Sequence, residues 1–114
     1  MENRIKKLLL RLGIDPFMLG YKYLIDAIDI CYCDSCYAKG VTKLLYPYLA
    51  KKNKTTQQRA ERNIRNAIEK AFSCYSSEIE KELIIPAPSK SGKYTNSQFI
   101  AACVEKLKME DNDA

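Results

Sequence analysis

The sequence predicts an all-α fold of about six helices, on three observations. Apolar residues recur at helical spacing in stretch after stretch, no run of useful length alternates as a strand would, and Gly and Pro number only four each in 114 residues. Hydrophobic residues at 46% and charged residues at 29% are ordinary globular composition, and the length suits one core rather than two. A single domain over residues 1–114 is therefore expected.

The first helix comes from Glu2 to Leu12, where Ile5, Leu8, Leu9 and Leu12 follow an i, i+3, i+4, i+7 pattern and Gly13 ends it. Asp15 and Pro16 stand where an N-cap and a first helical residue belong. A second helix should run from about Pro16 to about Cys33, with Leu19, Tyr23, Ala27, Ile30 and Cys31 inward. CDSCYAKG reads as a break. Val41 to Lys52 is helical again, with Leu44, Leu45, Tyr48 and Leu49 on one face. Because Pro47 lacks an N–H, a kink or a fresh helix is expected near Tyr46. After the link Asn53-Lys54, Thr55 and Gln58 form a T-x-x-Q capping box that opens the next helix.

That helix carries a stripe of Ala60, Ile64, Ala67, Ile68 and Ala71, whose small alanines let another helix approach closely. Gln58, Glu61, Arg62, Arg65, Asn66 and Glu69 fall away from the stripe. After Tyr75, SSEIEKELI suggests a short helix capped by Ser76 or Ser77, and PAPSKSGKY reads as a loop. Thr95 and Gln98 repeat the capping box. Phe99, Ile100, Cys103, Val104 and Leu107 then form the apolar face of a last helix ending near Met109, with EDNDA as a frayed tail.

Charge is uneven. Between Val41 and Tyr75, Lys43, Lys51, Lys52, Lys54, Arg59, Arg62, Arg65 and Lys70 stand against Glu61 and Glu69 alone, +6 in a chain whose total is +5. The excess lies in the middle third, which points to an anionic partner for that third. Histidine is absent, so Ser/His and Cys/His nucleophile pairs, imidazole acid–base chemistry and Cys/His zinc sites are excluded, and no enzymatic activity is expected. No apolar run reaches membrane-span length and no signal peptide opens the chain; a cytoplasmic protein with reduced thiols is expected.

A short helix, a tight turn and a longer capped helix with a basic outer face together describe a helix-turn-helix. The residue types on that face can read bases: Arg bonds guanine bidentately, Asn or Gln bonds adenine, and Glu accepts from cytosine. Gln58, Glu61, Arg62, Arg65 and Asn66 supply them. The competing reading is a solvated face with Glu61 and Arg65 as an i, i+4 pair. Cys31, Cys33 and Cys36 in CYCDSCY raise a thiol redox or zinc sensor, but Cys74 and Cys103 are isolated, and small apolar residues at a helix end explain the cluster better. Asp26 and Asp29, one helical turn apart, could hold a metal, but an exposed helix face explains them as well. No metal and no cofactor is expected.

The stretches LGIDPFMLGYKYLIDAI, VTKLLYPYLAKK, NKTTQQRAERNIRNAIEKAF and KYTNSQFIAACVEKLKME, in that order, resemble the C-terminal DNA-binding domain of the sporulation-initiation response regulator, the master transcription factor of endospore-forming bacteria. The resemblance covers most of the chain, and its TT-x-x-R-x-ER-x-IR-x-AIE and TNS-x-FIA pieces are specific to that family. It implies a six-helix domain of the winged-helix-like type, without a sheet, whose third and fourth helices form the helix-turn-helix. It also implies sequence-specific binding to promoter boxes in double-stranded DNA, head-to-tail pairing on DNA, RNA polymerase as a protein partner and no membrane association. Position by position, Glu61, Arg62 and Arg65 match base-reading residues, and Asn66 stands where the family usually has histidine. Lys54 and Gln58 suit phosphate contacts, and Arg59 suits a phosphate contact or an internal pair. The N-terminal phosphoreceiver domain of the family protein has no counterpart here, which leaves a fragment or a stand-alone relative. The runner-up reading is a helical protein-interaction module or inhibitor of a transcription partner, which predicts an exposed apolar patch near the last two helices.

Overall fold

A computed structural model of the chain describes residues 1–83 and 94–112, and within them the structure is helical with no strand. Helix α1 spans Glu2–Arg11 and buries Ile5, Leu8 and Leu9, with Leu12 just beyond it. Its end is a Schellman turn. The Ile14 N–H donates to Leu9 O at 3.0 Å and the Gly13 N–H to Leu10 O at 3.1 Å, with Gly13 at φ +82°. A Cβ at Gly13 would also overlap the Tyr75 ring, so the position needs glycine twice over.

Helix α2 spans Leu19–Cys33 and starts three residues later than expected. The reason lies in the Asp15 side chain, which accepts the Phe17 N–H at 2.8 Å and closes a turn instead of capping a helix at Pro16. Leu19 is consequently exposed, and the inner face is Tyr23, Leu24, Ala27, Ile28 and Cys31. This apolar helix is the centre of the domain, packed against α1, α5 and α6.

The expected break after Cys33 contains a helical turn of its own. Asp34, at φ −143°, ends α2, and its carboxylate accepts the Cys36 N–H at 3.0 Å to open α3, Ser35–Lys39. A π-type turn, Val41–Leu45, then leads into α4, Tyr46–Lys52. The fresh start at Tyr46 is the one Pro47 calls for, because a first-turn residue has no N–H bond to lose. Leu45 and Leu49 are buried, whereas Leu44 faces solvent. Tyr37 and Tyr48 pack edge to face at 5.5 Å, joining α3 to α4.

Helix α5, Gln57–Leu83, bends at Tyr75, whose φ of −134° and ψ of 29° are non-helical. The separate helix expected after Tyr75 is thus the far limb of α5, and among the described residues the count of six is kept because α3 takes its place. Helix α6 spans Asn96–Asn112 and buries Phe99, Ile100, Cys103, Val104 and Leu107. Its capping box is reciprocal: the Thr95 N–H donates to Gln98 Oε1 at 2.9 Å and the Gln98 N–H to Thr95 Oγ1 at 3.2 Å. The acidic end is no frayed tail as far as Asn112. Asp111 pairs with Arg4 at 2.6 Å and accepts the Tyr32 hydroxyl, and Glu110 faces Arg11 at 3.7 Å, which clips α6 onto α1. The PAPSKSGKY loop, apart from Tyr94, lies outside the described residues.

Candidate nucleic-acid interface

The candidate interface is built on α4, the turn after it and the first half of α5. Helix α4 ends as α1 does, by a six-to-one bond in which the Thr55 N–H donates to Ala50 O at 2.9 Å. The left-handed residue of this turn is Lys54, at φ +52°, where glycine is usual. That conformation moves the cap of α5 one residue beyond the expected Thr55. Thr56 Oγ1 accepts the Arg59 N–H at 3.1 Å, so Thr56 and not the Thr55/Gln58 box opens the helix.

Two buried polar side chains hold this end of α5 in place. Asp26, 4% exposed, is no part of an exposed face. Its carboxylate accepts the Asn53 amide at 3.1 Å and faces Lys22 and Lys52 ammonium groups, each at 3.3 Å. Burial by itself would lower the Lys52 pKa, but the Asp26 carboxylate outweighs it and holds the group above the ordinary lysine range. Asn53 also donates to Leu49 O at 3.1 Å, so the turn is tied to α2 through Asp26. Asn96, 8% exposed, donates to Tyr46 Oη and to Glu61 O, both at 3.1 Å, joining α6 to α4 and α5. Burial pushes the Tyr46 hydroxyl pKa up against the opposing Asn96 bond, so the phenol stays neutral. Close packing completes the seat: a Cβ at Gly20 would overlap Asn63 O and lie 2.6 Å from Ala67 Cβ.

Of the candidate contact residues, Lys54, Gln58, Arg59, Arg62, Arg65 and Asn66 are exposed and Glu61 is half-buried. Arg65 Nη1 meets Glu61 Oε1 at 2.9 Å, so the i, i+4 pair exists, on the side of α5 that faces a cleft of about 460 Å³ bordered by Tyr46, Phe72 and Asn96. Arg62 points directly away from the Ala60/Ile64/Ala67 seam, and Arg59 lies on the opposite flank from Glu61. Among the described residues Lys54, Gln58, Arg59, Arg62 and Asn66 have no side-chain partner within the protein. No acidic residue lies in the first turn of α5, so the positive end of its dipole adds to these cations.

Pattern reading missed Asn53, Asp26 and Asn96 as the groups that seat α5. Spacing carried a signal for the last: Asn96 precedes Phe99, Ile100 and Cys103 by three, four and seven residues, so it belongs to the apolar face.

The other candidate sites come apart. All five cysteines are free thiols, with Cys31 and Cys103 buried and Cys33, Cys36 and Cys74 exposed. Burial, aided by Asp34, pushes the Cys31 thiol to about 11, and burial raises Cys103 further. Among the described residues no three His, Cys, Asp or Glu side chains converge as metal ligands. No helix there is long and apolar enough to cross a membrane. Among the described residues, the large exposed apolar side chains on the last two helices are Tyr75, which lies over Gly13, and Met109.

Residues 5–107 match the family model described as sporulation initiation factor Spo0A C terminal, which spans the helix-turn-helix and every residue of the candidate interface. With an all-helical fold to match, the chain belongs to the Spo0A C-terminal domain family, helical DNA-binding domains that regulate transcription in sporulation and not a family of enzymes.

Proposed function

We propose that the domain binds specific sequences in double-stranded DNA, with the first half of α5 in the major groove. Arg62 and Arg65 bond guanine edges, Glu61 accepts from cytosine while orienting Arg65, and Asn66 contacts adenine. Lys54, Gln58 and Arg59 bind phosphates around the helix start and fix the register. The observation that supports this reading is the set of exposed side chains with no partner among the described residues around the positive end of a helix whose seat is buried and hydrogen-bonded. An ion pair between Glu61 and Arg65 is compatible with it, since the carboxylate takes only Nη1 of the guanidinium. The domain acts in the cytoplasm as part of a sporulation regulator, pairs head to tail on adjacent promoter boxes and works on RNA polymerase there.

Selection from a random duplex pool followed by mobility shift tests the reading. Arg62→Ala and Arg65→Ala should each lose about 1–3 kcal/mol on the selected site and far less on a scrambled duplex. Equal losses on both duplexes would mean that these arginines do not read bases.

A further inference from the structure

We propose that Asn96 is a positioning residue for base readout: its amide sets the rotation of the DNA-reading end of α5 about its own axis. The inference rests on the assignment of Glu61, Arg62 and Arg65 to bases. Asn96 is buried, and its amide nitrogen spans two helices, donating to Tyr46 Oη on α4 and to Glu61 O on α5, both at 3.1 Å. The carbonyl it holds belongs to the residue next to Arg62 and one turn before Arg65. Asn96 is not needed to start its own helix, because Thr95 and Gln98 cap α6 reciprocally. Its donors therefore serve α5.

The leverage comes from helix geometry. At a side-chain radius of about 5–6 Å, a rotation of roughly 10° carries a guanidinium about 1 Å. A bidentate contact with a base edge works over N···O distances of about 2.7–3.2 Å, so such a shift breaks it. Flexible side chains on phosphates adapt to the same shift. Loss of the Asn96 bond thus removes discrimination while leaving sequence-independent affinity in place.

Asn96→Asp is the sharpest probe, because it is isosteric, can still accept the Tyr46 hydroxyl proton and sets a carboxylate against Glu61 O. Tyr46→Phe is the second variant, removing the other anchor of the amide without changing a residue of α5. Both are measured in the full chain at one salt concentration, on the duplex selected by the wild type and on a scrambled duplex. Thermal unfolding checks the folded fraction. Asn96→Asp should weaken the selected duplex by about ten-fold or more and the scrambled one by less than two-fold. Tyr46→Phe should reduce discrimination in the same direction. In an Arg62→Ala background, where that base contact is already gone, Asn96→Asp should cost clearly less. Equal weakening on both duplexes, or unchanged discrimination in both variants, overturns the role of Asn96. If the wild type shows no sequence preference, it is the DNA-reading assignment itself that falls.

Discussion

Replacing Asp26 by asparagine tests whether the seat of the helix-turn-helix is electrostatic. The carboxylate is 4% exposed and takes the Asn53 amide at 3.1 Å with Lys22 and Lys52 at 3.3 Å each. Asn at this position keeps one acceptor for Asn53, loses the charge and turns an amide toward a lysine. Hydrogen bonds to a buried charged group are worth about 1.5–3 kcal/mol. The larger penalty of about 3–5 kcal/mol for stranding a buried partner does not apply, because the Lys22 and Lys52 side chains are 59% and 43% exposed and recover water. The expected loss is about 2 kcal/mol. Urea unfolding should report it as a lower midpoint with unchanged slope, and thermal unfolding as a Tm lower by roughly 8 °C. Asp29→Asn, one turn on and without a partner among the described residues, is the control and should stay within about 0.5 kcal/mol. A loss below about 0.5 kcal/mol for Asp26→Asn would show that the turn is held by packing alone.

Lys54→Gly should stabilise the free domain by about 0.5–1 kcal/mol in urea unfolding, because a left-handed residue at φ +52° costs lysine more than glycine. The same change should weaken binding to selected and scrambled duplexes alike and lower the salt slope by about one; a destabilised domain would refute the backbone argument. Acid stability should follow Asp15, whose carboxyl the Lys70 ammonium at 2.7 Å, and then the Phe17 N–H, hold below the ordinary value of 3.8. A depressed carboxylate pKa contributes stability above the unfolded value, and that contribution disappears as pH falls through the folded one. The Tm gap between wild type and Asp15→Asn should therefore be open at pH 5 and close below about 3.8; a gap independent of pH would refute it.

Where one physical effect dominates, the sequence reads correctly. Apolar spacing located α1, α5 and α6, because burying Ile5/Leu8/Leu9, Ala60/Ile64/Ala67 and Phe99/Ile100/Cys103 outweighs anything local. Helix starts went wrong where one polar side chain has two backbone donors within reach. Asp15 turns to the Phe17 N–H, and the left-handed Lys54 shifts the cap from Thr55 to Thr56. The acidic end of α6 read as a tail because its partners, Arg4, Arg11 and Tyr32, are distant in sequence. The candidate contact surface was legible from charge and residue type. Its supports were less so, since Asp26 and Asn96 matter through partners on other helices, and only Asn96 announces its burial by spacing.

The arrangement of charge sets the stability of the free domain against its proposed use. Lys52, Arg65 and Lys70 have carboxylate partners, whereas Lys43, Lys51, Lys54, Arg59 and Arg62 have none among the described residues. Lys54 and Arg59 stand at the turn and the first turn of α5, where the dipole is already positive and no acidic residue answers it, and Arg62 follows one turn on. A cation in that first turn costs about 0.3–1 kcal/mol, where an aspartate or glutamate would contribute as much. Arg4 and Arg11 by contrast sit opposite Asp111, Glu110 and Glu82, so the chain neutralises charge elsewhere. A phosphate backbone laid along the α5 start removes the repulsion and takes up the unused donors. On the proposed reading the labour divides: Lys54, Arg59 and the other free lysines would supply affinity that any duplex can draw on, and the buried anchors Asp26 and Asn96 would hold Arg62 and Arg65 in the geometry that only the right base sequence can use.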